Sequence, residues 1–124
     1  MRRRTEHRAI EFRGSPGGAL ERVVSLPDGR KYVHRCSEQI FRQVAEYLDD
    51  HRDLVTMTSI ADALDAPLTQ VNVALELLKE RGMLLPADGR RSHIPEGYRS
   101  AFFEHAMTEF YALIEGHPPE MSPD

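Results

Sequence analysis

The stretch "TQVNVALELLKERGMLLPADGRRSHIP", residues 69–95, decides how the rest of the chain is to be read. At 100° per residue, Val71, Leu75 and Leu78 fall on one stripe, which predicts a helix from about Leu68 to Arg81 with Gly82 as its natural stop. Beyond it, "MLLP" and "RSHIP" flank "ADGR", so Asp88 and Gly89 sit where a hairpin turn needs them. Opposite the apolar stripe lie Thr69, Gln70, Val73, Glu76, Leu77 and Glu80, a face with no lysine or arginine. Whether that face reads a nucleic acid or serves another purpose is the question the sequence poses.

Upstream, the apolar period is also helical. Ser37 is a good N-cap with Glu38 in the first turn, and Ile40, Phe41, Val44, Ala45, Tyr47 and Leu48 carry a helix to about Asp50. "TSIADALD", residues 58–65, predicts a short second helix capped by Thr58 or Ser59, and Pro67 closes it while permitting the next helix to start. Residues 1–36 look different. "ALERVVSL" and "KYVHRC" are joined by "PDGR" and predict a hairpin, and "AIEF" alternates as a candidate third strand before "GSPGG". Downstream, residues 98–115 predict a last helix, followed by a proline-rich tail over 117–124 with too little apolar surface to pack.

Helix, helix, turn, helix, hairpin is the order of a winged helix-turn-helix domain. Ala61 falls where the two helices of such a motif cross closely, Asp65 lies at the turn where glycine is usual, and "LLKERGMLL" resembles the close of a recognition helix in MarR-like bacterial repressors. "PADGRRSHIP" is similar to their wing. The resemblance spans about residues 38–95. It implies an α+β, mainly α fold: a basic N-terminal hairpin segment (1–36), a winged helix-turn-helix domain (37–97) and a C-terminal dimerisation helix (98–116). The function it implies is a DNA-binding transcriptional regulator acting as a homodimer.

The residues that would touch double-stranded DNA are Thr69, Gln70, Asn72 and Val73 on the helix and Arg90 and Arg91 on the wing, with support from His93 and Arg2, Arg3 and Arg4. In MarR-like repressors the positions matching Val73 and Leu77 are commonly basic. Here they are apolar, and Glu76 and Glu80 beside them would repel phosphates. Three readings therefore stay open for Val73 and Leu77: packing beneath the wing or the N-terminal hairpin, a patch for a protein partner in an adaptor that does not bind DNA, or part of a DNA face. In the last helix, Phe102, Ala106, Phe110 and Leu113 share one side, widened by Phe103, Met107, Tyr111 and Ile114. So broad an apolar face must be covered. A homodimer interface is the favoured cover, and folding back onto the chain's own first helix would satisfy the same demand.

Composition narrows the remaining classes. With 40% hydrophobic and 29% charged residues, the chain is globular in type, and no apolar run approaches the ~18 residues of a membrane span. A cytoplasmic location is the default, and the single Cys36 cannot form an internal disulfide. The net charge of −4 hides an asymmetry: nine basic against four acidic residues over 1–36, six against eleven over 37–97, and one against five over 98–124. A polyanion would thus meet the N-terminal part first. The six histidines form no metal motif, and His34 beside Cys36 on one strand face is the nearest approach to a ligand pair. No nucleophile elbow, phosphate loop or dinucleotide fingerprint is present, so no cofactor is expected and an enzyme is the least supported class.

Overall fold

The computed structural model describes residues 9–51 and 54–115. Three strands come first: β1 (Ala9–Gly14), β2 (Leu20–Ser25) and β3 (Lys31–Cys36), paired antiparallel in the order β1-β2-β3. Helices α1 (Glu38–Asp50), α2 (Met57–Leu64) and α3 (Leu68–Glu80) follow. The small hairpin of β4 (Leu85–Pro86) and β5 (Ser92–His93), a 3-10 turn (Glu96–Tyr98) and α4 (Phe102–Glu115) complete the chain. The architecture is thus α+β with four helices and a three-stranded antiparallel sheet; the N-terminal segment holds a third strand as well as the expected hairpin.

Local chemistry explains the boundaries. The Ser37 hydroxyl accepts from the Ile40 N–H and starts α1 as expected. α2 begins earlier than expected, because Thr56 rather than Thr58 or Ser59 is its cap. The Thr56 hydroxyl accepts from the Ser59 N–H while the Ser59 hydroxyl accepts from the Thr56 N–H, so serine completes the reciprocal box usually closed by glutamate. Asp65 closes α2 in the left-handed conformation, at φ 51° and ψ 46°. Gly82, at φ 78°, ends the α3 region. The last helix starts four residues later than its apolar spacing predicts, since Tyr98 belongs to the 3-10 turn and Ala101 has a φ of 61° that no α-helix admits.

Strand register sorts the sheet into two faces. The rungs Gly14–Leu20–Cys36 and Phe12–Arg22–His34 face the helices, and Leu20 and Cys36 join Phe41, Val73 and Leu77 in one hydrophobic core. The rung between them, Arg13–Glu21–Arg35, faces outward. Arg13 donates to Glu21 Oε1 at 2.8 Å and Arg35 to Oε2 at 2.7 Å, so one carboxylate ties all three strands. α4 lies along α1, with the Phe41 and Phe110 rings 4.9 Å apart, and its last turn meets β1 at Gly14. A Cβ there would stand 2.6 Å from the Leu113 carbonyl oxygen and 2.7 Å from Ile114 Cα. Both are backbone atoms, so only glycine lets strand and helix come this close.

Two outcomes follow. Gly14→Ala should destabilise the chain by about 1–3 kcal/mol, read by urea unfolding, because the added methyl has to push backbone apart. Wild-type stability in that variant would show that α4 does not press on β1. The second concerns acid. Arg13, joined by Arg35, holds the Glu21 carboxyl below the ordinary glutamate value of 4.5 against the opposing pull of burial. A carboxylate whose folded value is depressed contributes stability that is complete above the unfolded value and is lost as pH falls through the folded one. Unfolding free energy should therefore decline below about pH 4.5, and Glu21→Gln should flatten that decline.

Candidate nucleic-acid interface

α3 is enclosed on two sides. Val71, Leu75 and Leu78 face α1 and α2, as their stripe predicts, and are buried. The opposite flank is covered by β2 and β3, which leaves Val73 and Leu77 with 0% exposure. Val73 is therefore no DNA contact in this conformation. Nor do Val73 and Leu77 present a patch to a protein partner, because the N-terminal sheet has taken the surface that would have done so.

Polar bonds fasten the same seam. The Gln70 side-chain oxygen accepts from the Ser37 N–H at 2.9 Å, so this amide is turned into the fold and away from any base edge. Arg22, on the central strand and only 8% exposed along its side chain, donates to Glu76 at 2.6 Å. Its second amino group lies 2.7 Å from His34 Nδ1. That contact occupies the histidine that shares a strand face with Cys36. Burial pushes the Cys36 thiol up to about 12, so it remains protonated and is a poor metal ligand. Glu80 pairs with Arg81, which also reaches Glu109 at 2.9 Å. The two carboxylates that spoil the outward face of α3 thus each have a guanidinium partner within the chain.

The surface left open is the arc carrying Leu68, Thr69, Asn72 and Lys79, together with the hairpin beside it. Val55 exchanges two backbone hydrogen bonds with Ser92, 3.0 and 2.8 Å long, which pins the hairpin against the segment leading into α2. At the tip, Gly89 takes a φ of 66° and Arg91 Nε donates to the Asp88 carbonyl at 3.3 Å. Arg90 and Arg91 are both exposed. Between hairpin, α2 and α3 opens a cleft of about 480 Å³ lined by Val55, Thr56, Met57, Thr58, Asn72, Leu75, Lys79, Arg90 and Ser92.

Of the residues expected at DNA, Asn72 and Arg90 meet at this cleft. Thr69 and Arg91 are exposed outside its lining, His93 is half-buried on β5, and Gln70 and Val73 are engaged inward. Arg2, Arg3 and Arg4 lie outside the described residues. Lys79 was missed from the sequence, although it stands seven residues after Asn72 and so falls on nearly the same line of the helix. Thr56 and Ser92 were missed because nothing local marks Val55 as the partner of Ser92.

The α4 face is covered in part within the chain. Phe102, Ala106 and Phe110 are fully buried and Met107 is 6% exposed. Ile114 lies against Gly14, with Leu113 beside it in the last turn. Arg42 of α1 donates to the Tyr111 hydroxyl at 2.9 Å, Tyr111 donates in turn to Glu38, and the Arg42 guanidinium lies 5.7 Å from the centre of the Phe103 ring. Cover from within the chain is complete for four of the eight apolar residues, while Phe103, Tyr111, Leu113 and Ile114 stay half-buried.

No protein-family model matches the chain, and comparison with curated proteins and with solved structures gives no match. Among the described residues, no helix is long and apolar enough to cross a membrane.

The seam makes its own prediction. Arg22→Met should cost about 2 kcal/mol by urea unfolding, since Glu76 loses a charged partner. Adding Glu76→Met should recover part of that loss, because no carboxylate is then left unpaired beside the buried end of the pair, while Glu76 itself is 35% exposed. Purely additive losses in the double variant would show that the pair is not coupled.

Proposed function

We propose that the chain is a winged-helix module that binds double-stranded DNA along its backbone, through the wing and the open arc of α3, without placing α3 in a major groove. Arg90 and Arg91 meet phosphates from the wing, and Thr69, Asn72 and Lys79 meet them from the helix. The observation that carries this reading is the convergence of Asn72, Lys79 and Arg90 at one seam while Glu76 and Glu80 are held by arginines of the same chain. The order of α1, the Val55 bridge, α2, α3 and the β4–β5 hairpin supports the winged-helix assignment.

Widths argue against insertion. A helix with its side chains measures about 10–12 Å across and fills a major groove of about 12 Å. With β2 and β3 seated on its flank, α3 is part of a slab much broader than that opening. What remains is contact with phosphates, which supplies affinity and orientation but carries no base sequence directly. A regulator that reads an operator by direct contact is thereby narrowed to a backbone binder. The α4 face supplies no independent argument for a homodimer.

Binding of labelled duplexes of unrelated sequence, measured at low and at physiological salt, tests the proposal. Affinity should fall steeply with salt and differ little between sequences. Arg90→Ala combined with Arg91→Ala should weaken all duplexes alike and reduce the log–log salt slope by about one unit per lost contact. Absence of salt-dependent binding at low micromolar protein would sink the DNA reading. Selectivity above about a thousand-fold for one duplex would sink the backbone-only form of it.

A further inference from the structure

The cleft between the hairpin, α2 and α3 has features that a convex backbone contact does not require. Its volume of about 480 Å³ lies within the ~300–1,000 Å³ typical of small-molecule sites. One wall is apolar, made by Val55, Met57 and Leu75, with Val55 and Leu75 themselves 7% and 4% exposed. Lys79 and Arg90 line it as cations that make no ion pair with any described residue. Ser92 is only 6% exposed, yet its hydroxyl lines the cleft with no hydrogen-bond partner among the described residues. The hydroxyl is open to the cleft rather than sealed in the core, so it offers a donor there that no described protein group uses. The first N–H groups of α2, on Met57 and Thr58, have no acceptor inside their own helix, and both residues line the cleft.

We infer that this cleft binds a small organic anion, a molecule whose anionic oxygens meet Lys79, Arg90 and the Ser92 hydroxyl while a compact apolar body lies on Val55, Met57 and Leu75. Two cations and unpaired donors select a negative head group. The apolar wall selects against a bare inorganic ion. Such a ligand shares Lys79 and Arg90 with the DNA surface proposed above, but its binding does not depend on that surface, and the test contains no DNA.

The test is a titration of the full chain, followed by backbone amide chemical shifts, with phenyl phosphate, benzoate, inorganic phosphate and neutral benzamide. Phenyl phosphate or benzoate should bind saturably and at least about ten-fold more tightly than benzamide or inorganic phosphate, with shifts centred on Thr56, Thr58, Asn72 and Ser92. Which of the two binds better distinguishes a phosphate head from a carboxylate. Lys79→Ala and Arg90→Ala, both surface changes, should each weaken binding by about ten-fold. Ser92→Ala should weaken it while leaving the thermal midpoint unchanged or raised, since no protein group loses a bond. The inference is overturned if no organic anion binds, if benzamide or inorganic phosphate binds as well as the organic anions, or if the three variants bind like the wild type.

Discussion

The seating of β2 and β3 on the flank of α3 is the contact on which the rest of the molecule depends. It buries Val73 and Leu77 completely, each worth about 1.5–3 kcal/mol relative to exposure, and brings Leu20 and Cys36 into the same core as Phe41 and Leu78. Without it α3 would show an apolar stripe to water and the sheet would keep only α4 against β1 and β2 as its helical floor. The fit is specific rather than ideal. Arg22 reaches Glu76 and His34 across the seam, but its Nε is buried without a partner, a cost that an aliphatic side chain would avoid. Such an arrangement fixes where the sheet sits on α3 at some expense of stability.

Charge is distributed by the same contact. From sequence, the excess of nine basic over four acidic residues in the first 36 marks that segment as the one to meet a polyanion. In the fold, four of its arginines are already committed: Arg13 and Arg35 to Glu21, Arg22 to Glu76 and Arg30 to Asp28. The cations left without ion pairs on α3 and at the cleft are Lys79 and Arg90, both from the segment whose net charge is negative. Arg2, Arg3, Arg4 and Arg8 of that N-terminal segment lie outside the described residues, and a segment total does not show which of the described cations are left unpaired. Pairing across the tertiary structure, which no segment total contains, leaves Lys79 and Arg90 without an ion pair to any described residue.

The helices were legible in the sequence because their signals are local. Ser37, the Val71, Leu75 and Leu78 stripe, Gly82 and the Asp88-Gly89 tip each act within a few residues, and the structure uses all of them. Two boundaries escaped for reasons equally local but less common: Ser59 standing in for glutamate opposite Thr56, and Ala101 in a left-handed conformation. The site was harder to read. A helical projection shows that Val73 and Leu77 share a flank, but it cannot tell a groove, a partner or a strand of the same chain apart, since each would favour apolar side chains there. The α4 face had the same ambiguity, and the ring contact between Phe41 and Phe110 resolves it at that point in favour of the chain itself.

Cys36 sits at the end of β3, in the layer between sheet and helices, with no exposure and its thiol donating to the Ser37 carbonyl at 3.5 Å. Protonated and enclosed, it is inert to alkylating reagents for as long as the two layers remain together. Its modification rate is therefore a clock for their separation. Because the sequence contains a single cysteine, that clock needs no engineered label, and it would time the lifting of the sheet from α3 separately from fraying at the β4–β5 hairpin.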